Sequence, residues 1–245
     1  MTSSRLTTLV LASALLSATA CSDQAATAPT GPGLSSVLFA GDSIAVGEAL
    51  PLAAAFQASG VGFESIAAEG GGNVVGPFAE ENWPKISERI TAAQADVVVY
   101  QLTTYDWGTE QEQRAAYEKL LGLVTGAGSK LAFVSAPPIR ADDFYRPHLA
   151  ELQRTPAVAK AVAQTAPGQA FFLDATAVWG ETYQQVKDGK ADRSADGIHT
   201  CPQGAARFTA WLVDELAEQP GGFTPAEPSA WANAGWSADK HFQGC

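Results

Sequence analysis

Two short segments hold residue types able to carry out nucleophilic chemistry on an acyl group. The first is Gly41-Asp42-Ser43, which follows the apolar run Val37-Leu38-Phe39-Ala40 and precedes a stretch of helical length. A serine there sits at the tip of a strand and at the start of a helix, where backbone N–H groups favour a developing oxyanion. Serine is a weak nucleophile and needs a base. The chain has three histidines, His148, His199 and His241. His199 closes Asp196-Gly197-Ile198-His199 just before the last helical stretch, and a carboxylate three residues ahead can reach the imidazole Nδ1–H and fix its tautomer. His148, between Pro147 and Leu149, and His241, near the C-terminus, read as surface or packing residues. Ser43, His199 and Asp196 are therefore the candidate catalytic set.

These groups need a scaffold. From Val37 onward, short apolar runs alternate with helix-like stretches, the pattern of βαβ units and a parallel sheet. Strands are expected at Val37–Ala40, Gly62–Ala67, Asp96–Leu102, Lys130–Ala136 and Ala170–Asp174, and helices at 46–59, 80–94, 110–126, 142–166 and 202–218. In the last helix Ala205, Phe208, Leu212 and Leu216 form one apolar stripe, with Arg207, Asp214 and Glu218 facing away. Pro202 suits its first position, where the missing N–H costs nothing. In an open sheet of this class, functional groups gather at the carboxyl ends of the strands. Residues 219–245 are punctuated by Pro and Gly and read as a wrapping tail.

At this point the sequence resembles the SGNH, or GDSL, hydrolase superfamily over about residues 36–218. Gly41-Asp42-Ser43 matches its first block and Asp196-x-x-His199 its last, in the family's order. The resemblance implies a flavodoxin-like, three-layer α/β/α fold with a five-stranded parallel sheet. It also implies an oxyanion hole shared by the Ser43 N–H, a glycine after the second strand and an asparagine after the third. Gly70-Gly71-Gly72-Asn73 supplies the glycine, with Gly72 the chosen donor. Where the family has Gly-x-Asn-Asp, this chain has Thr103-Thr104-Tyr105-Asp106, so Tyr105 stands in the Asn position, and either Thr104 or Tyr105 supplies a hydroxyl in its place or the site works with a reduced hole. Ala136-Pro137-Pro138 and Phe171-Phe172-Leu173-Asp174 also fit. The stretch from Asp196 to Phe208 is similar to SGNH domains attached to polysaccharide acyltransferases, which keeps acyl transfer open beside ester hydrolysis. A third possibility is a non-catalytic, lipid-tethered glycan-binding module. Trp107, next to Asp106, would border the site; a face on which a sugar ring stacks is one reading, and a packed ring burying its large apolar area is the more frequent one.

Composition narrows the partners. The 245 residues are 46% hydrophobic and 17% charged, with 26 acids against 15 bases and a net charge of −11. Such a surface disfavours nucleic acid, whose binding depends on clustered Lys and Arg. The expected partner is an acylated small molecule or glycan, bound by a monomer without a cofactor. No zinc-ligand spacing, Walker loop, Gly-x-Ser-x-Gly elbow or Gly-x-Gly-x-x-Gly fingerprint occurs.

The N-terminus points to export. Arg5 precedes a run of apolar and small residues from Leu6 to Ala20, too short to span a bilayer comfortably and typical of a signal peptide over 1–20. Ala18-Thr19-Ala20 permits ordinary secretion, whereas Ala20-Cys21 resembles a lipobox, which would make Cys21 the lipidated first residue and the membrane a partner through that anchor. Residues 22–34 have the Pro, Gly and Thr content of a tether. With Cys21 lipidated, Cys201 and Cys245 form an even pair in an oxidising compartment, and a disulfide between them is expected.

Overall fold

A computed structural model describes Met1 and residues 33–245. The expected signal peptide, the lipidation site Cys21 and all of the tether except Gly33 and Leu34 lie outside the described residues. Among those described, no helix is long and apolar enough to cross a membrane.

The core is a five-stranded sheet formed by β1 (Ser36–Ala40), β2 (Gly62–Ser65), β3 (Val97–Gln101), β4 (Lys130–Val134) and β5 (Ala170–Leu173). The strands lie in the order β2-β1-β3-β4-β5, and every pairing is parallel. Val37 stands opposite Phe63 on one side and Val97 on the other, and Val97 opposite Lys130. Parallel neighbours need crossover connections, and helices supply them.

Successive side chains along a strand point to opposite faces, and each face has its own core. Val37, Phe39, Val97 and Val99 pack against Leu52 and Phe56 of α1 (Ser43–Ala58) and Phe208 and Leu212 of α6 (Pro202–Ala217). Leu38, Val98, Tyr100 and Phe133 pack against α2 (Ala79–Ala93), α3 (Glu110–Gly126) and α4 (Leu149–Ala163) through Ile90, Tyr117, Leu120 and Val158. The result is the expected three-layer α/β/α arrangement.

Boundaries differ where side chains intervene. Helix α1 begins at Ser43, three residues before its expected start, because the Asp42 side chain accepts the Ile44 N–H at 3.0 Å and caps it. The single helix expected over 142–166 is shorter: Asp142 takes the N–H groups of Phe144 and Tyr145 in a turn, and a 3-10 turn over Arg146–His148 leads into α4. Two features were not expected: the four-residue helix α5 (Thr176–Trp179), and a hairpin of β6 (Val186–Lys187) and β7 (Lys190–Ala191). The hairpin turns at Asp188-Gly189 with both φ angles positive.

The chain after α6 consists of turns, three of them short 3-10 helices. It returns across the sheet's α1/α6 face, burying Trp231 there, and ends in a Cys201–Cys245 disulfide with Cα atoms 5.6 Å apart.

Candidate active site

The turn from β1 into α1 is built around Asp42. Its carboxylate is buried, with Oδ1 capping α1 and Oδ2 accepting from Thr104 at the end of β3. Ser43 is thereby fixed as the first residue of α1, with its side chain at the carboxyl edge of the sheet. The Ile44 N–H goes to the cap and that of Val46 to the Asp42 carbonyl, whereas the Ser43 N–H has no acceptor among the described residues.

Asp196-Gly197-Ile198-His199 forms a compact turn before α6. Asp196 Oδ1 accepts the backbone N–H of Ile198 at 2.7 Å and of His199 at 3.0 Å, and its Oδ2 lies 2.8 Å from His199 Nδ1. His199 Nε2 lies 2.8 Å from Ser43 Oγ. With Nδ1–H given to Asp196, Nε2 presents its lone pair to the serine hydroxyl. Partial burial alone would raise the Asp196 pKa, but the His199 ring and the two backbone donors outweigh it and hold the carboxyl at about 2. Asp196 is thus ionised throughout the neutral range and stabilises an imidazolium beside it.

Arg193, a residue that sequence reasoning did not single out, sets this turn. Its guanidinium is buried and donates to the carbonyls of Pro138 (2.7 Å) and Ile198, with a longer contact to that of His199 (3.4 Å). The loop after β4 and the histidine turn are thereby held together. A buried arginine offers several donors in a fixed fork, which suits backbone carbonyls at several positions.

The glycine loop after β2 comes to the same edge. Gly72 has φ +80°, and a Cβ there would lie 2.0 Å from the Gly41 carbonyl oxygen, so only glycine fits against the peptide that precedes Asp42. Its N–H has no acceptor among the described residues, as an oxyanion donor requires. Asn73 next to it is fully buried and engaged with the Val75 and Pro77 carbonyls and with Asn82, which ties the loop to α2.

The two hydroxyl candidates part company. Thr104 gives both its N–H and its hydroxyl to Asp42 Oδ2, so its only hydroxyl proton is committed and it has none for an oxyanion. Tyr105 is half-buried, and desolvation together with a hydrogen bond to Tyr145 pushes its phenol pKa upward; its one proton is engaged with a neutral phenol rather than with a buried carboxyl, and is the more readily turned toward an oxyanion. Asp106 lies under the site, fully buried, accepting from Tyr100, Tyr117 and the Thr103 N–H.

Trp107 stacks one ring face on His148 at 3.6 Å between centroids and donates its indole N–H to the Thr104 carbonyl. It is packed into the rim with its neighbours Tyr105 and Phe144. The aromatic rings most open to solvent on this rim are Phe78 and Phe144, both contacting Tyr105. Beside Thr104 a cavity of about 410 Å³ runs between Pro137, Pro138 and Ile139 on one side and Leu149, Leu152 and Tyr183 on the other. No group of His, Cys, Asp and Glu among the described residues could hold a metal ion. His241 lies at the site itself, its ring centre 5.7 Å from that of His199.

Neither a family model nor a curated protein matches the chain. Solved structures do. An acetylxylan esterase from Geobacillus stearothermophilus superposes with a TM-score of 0.55 at 15% identity, covering 77% of this chain and 97% of its own. A GDSL-like lipase from Bacteroides thetaiotaomicron gives 0.51 at 16% identity, covering 74% and 86%. At such identities the likeness concerns the backbone. With the strand order above, it shows that this chain has the fold of the SGNH, or GDSL, hydrolases.

Proposed function

We propose that the chain is a serine esterase that removes O-acyl groups, acetyl above all, from a glycan. The observation that carries the reading is the unbroken line from Ser43 Oγ to His199 Nε2 and from His199 Nδ1 to Asp196 Oδ2, each step 2.8 Å. Ser43 attacks the ester carbonyl carbon while His199 takes its proton. The tetrahedral oxyanion is received by the N–H groups of Ser43 and Gly72 and by the Tyr105 hydroxyl. His199 then returns the proton to the departing alcohol as the C–O bond breaks, leaving an acyl-Ser43 ester. A water, deprotonated by His199, attacks that ester and releases the carboxylic acid and free Ser43.

The choice of acetyl on a glycan is supported by the acetylxylan esterases among the similar folds and by the aromatic rim beside the site. Export through residues 1–20, with Cys21 as a lipid anchor, would place the enzyme where acylated envelope or extracellular glycans occur.

The test is hydrolysis of p-nitrophenyl acetate, butyrate and octanoate by residues 22–245, with Ser43→Ala alongside. Turnover abolished by Ser43→Ala and greatest for acetate supports the reading. Equal, negligible turnover by both proteins on all three esters would overturn it.

A further inference from the structure

The C-terminal tail brings a second imidazole to the site. His241 is nine-tenths buried, its ring perpendicular to that of His199 (88°), and its Nδ1 lies 3.3 Å from Glu69 Oε1. Glu69 belongs to the loop that carries Gly72, so one tail side chain touches both the loop of the base and the loop of the oxyanion donor. Four residues on, Cys245 is bonded to Cys201, two residues beyond His199. The tail is thus fastened directly behind the histidine turn, a fastening completed by the burial of Phe242 and the Ser194 hydroxyl on the Gly244 carbonyl.

The place for this ring is made by Gly47. A glycine in the interior of a helix is unfavourable relative to alanine, yet Gly47 lies inside α1. A Cβ there would come within 2.6 Å of His241 Nε2. Among the described residues that Nε2 is buried without a hydrogen-bond partner, as is Thr200 Oγ1, which lies near the same point beside Gly47. A buried polar nitrogen left unpaired is costly, and phenylalanine or leucine would fill the space without that cost. The histidine is therefore accounted for by what its other nitrogen and its ring face do.

We propose that His241, delivered by the disulfide-held tail, is a positioning residue that braces the His199 imidazole and ties it through Glu69 to the Gly72 loop. The inference rests on the esterase reading for its kinetic arm. It touches no reacting atom: it restricts His199 to the orientation in which Nε2 meets Ser43, and holds the glycine loop at a fixed distance from that base.

The experiment compares wild type with His241→Ala, His241→Gln and Gly47→Ala. Three readouts are taken: kcat and KM on p-nitrophenyl acetate, thermal melting, and the low-field NMR resonance of the His199 Nδ1–H bonded to Asp196. Loss of orientation of a catalytic group lowers kcat by about 10- to 100-fold with little change in KM, and His241→Ala should do this while still melting cooperatively. The low-field resonance should broaden or disappear. Gly47→Ala, whose methyl displaces the ring, should reproduce the kcat loss and the loss of the low-field resonance, with overpacking of the buried contact also lowering its melting temperature. His241→Gln, whose amide can still donate to Glu69, should recover part of it.

A His241→Ala enzyme with wild-type kcat, or with reduced kcat but an unaltered His199 resonance, would overturn the proposal. Should wild type prove as inert as Ser43→Ala, the esterase reading fails on its own. The resonance then decides the role of His241: its loss in His241→Ala upholds the brace, and its persistence removes it.

Discussion

Thr104 donates both its backbone N–H and its hydroxyl to Asp42 Oδ2, each over 2.7 Å. Through this one oxygen the end of β3 is joined to the turn that presents Ser43, and through the other Asp42 caps α1. Burial raises the Asp42 pKa, while the Thr104 and Ile44 donors and the nearby His199 pull it back. The carboxylate thus needs its donors, and the Ser43 turn depends on a residue 62 positions along the chain at the end of the neighbouring strand.

Thr104→Val tests that dependence. Valine keeps the shape and the backbone N–H but removes the hydroxyl from a buried carboxylate, and hydrogen bonds to charged groups are worth about 1.5–3 kcal/mol. Urea unfolding should show a loss of that order, with kcat reduced because the turn bearing Ser43 loosens. An unchanged unfolding midpoint would show that the second Asp42 donor is dispensable.

Tyr105→Phe removes a hydroxyl and nothing else. If that hydroxyl supplies the third oxyanion donor, kcat on p-nitrophenyl acetate should fall by about 10²- to 10³-fold, the usual cost of one such donor, with KM nearly constant. Tyr145→Phe serves as control, since Tyr145 meets Tyr105 by hydrogen bond and should affect kcat less. Equal rates for wild type and Tyr105→Phe would leave the hole with only the Ser43 and Gly72 N–H groups.

How much of this was legible in sequence follows from the range of the interactions. The five core strands fall within two residues of their expected ends, because apolar alternation is local and reports burial on both sheet faces. Ser43, Asp196 and His199 meet as expected: the strand-end rule places Ser43 after β1, and the short Asp196-to-His199 spacing just before α6 keeps acid and base in one turn. The start of α1 was displaced by an aspartate cap that hydropathy does not register, and the β6–β7 hairpin is too short to show a period. Thr104 and Tyr105 could not be told apart, as the distinction depends on which hydroxyl faces Asp42 across the sheet. His241 was read as a surface or packing residue. Its place is set by a long-range disulfide and an unfilled space over α1, for which the only trace in the sequence is Gly47 in mid-helix.

Asp106 gives the chain a stability that varies with pH. Full burial raises its pKa to about 7, despite the Thr103 N–H and the Tyr100 and Tyr117 hydroxyls that favour the ionised form. A carboxyl whose folded pKa lies above its unfolded value of 3.8 is protonated in the fold while already ionised in the unfolded chain. Its contribution is therefore fully present below about pH 4 and is lost as pH rises through about 7. At roughly 1.4 kcal/mol per pH unit, the upper bound is about 4 kcal/mol. Chemical unfolding at pH 4 to 8 should show this decline in wild type and a flatter profile in Asp106→Asn; parallel profiles would mean that Asp106 is ionised in the fold as well.

The Cys201–Cys245 bond should be coupled to catalysis as well as to stability. It closes a loop between positions 44 residues apart, and constraining the unfolded chain in this way is commonly worth about 2–4 kcal/mol. Cys245→Ala should lower the unfolding free energy by that order. It should also lower kcat, since the tail that holds His241 against His199 is released at its end. If both losses arise from the same ring, His241→Ala in a Cys245→Ala background should cost little more in kcat than either change alone, because residues acting through one contact do not add. Independent, multiplicative losses would instead mean that the disulfide supports the site through the Thr200–Cys201 backbone, with His241 contributing separately.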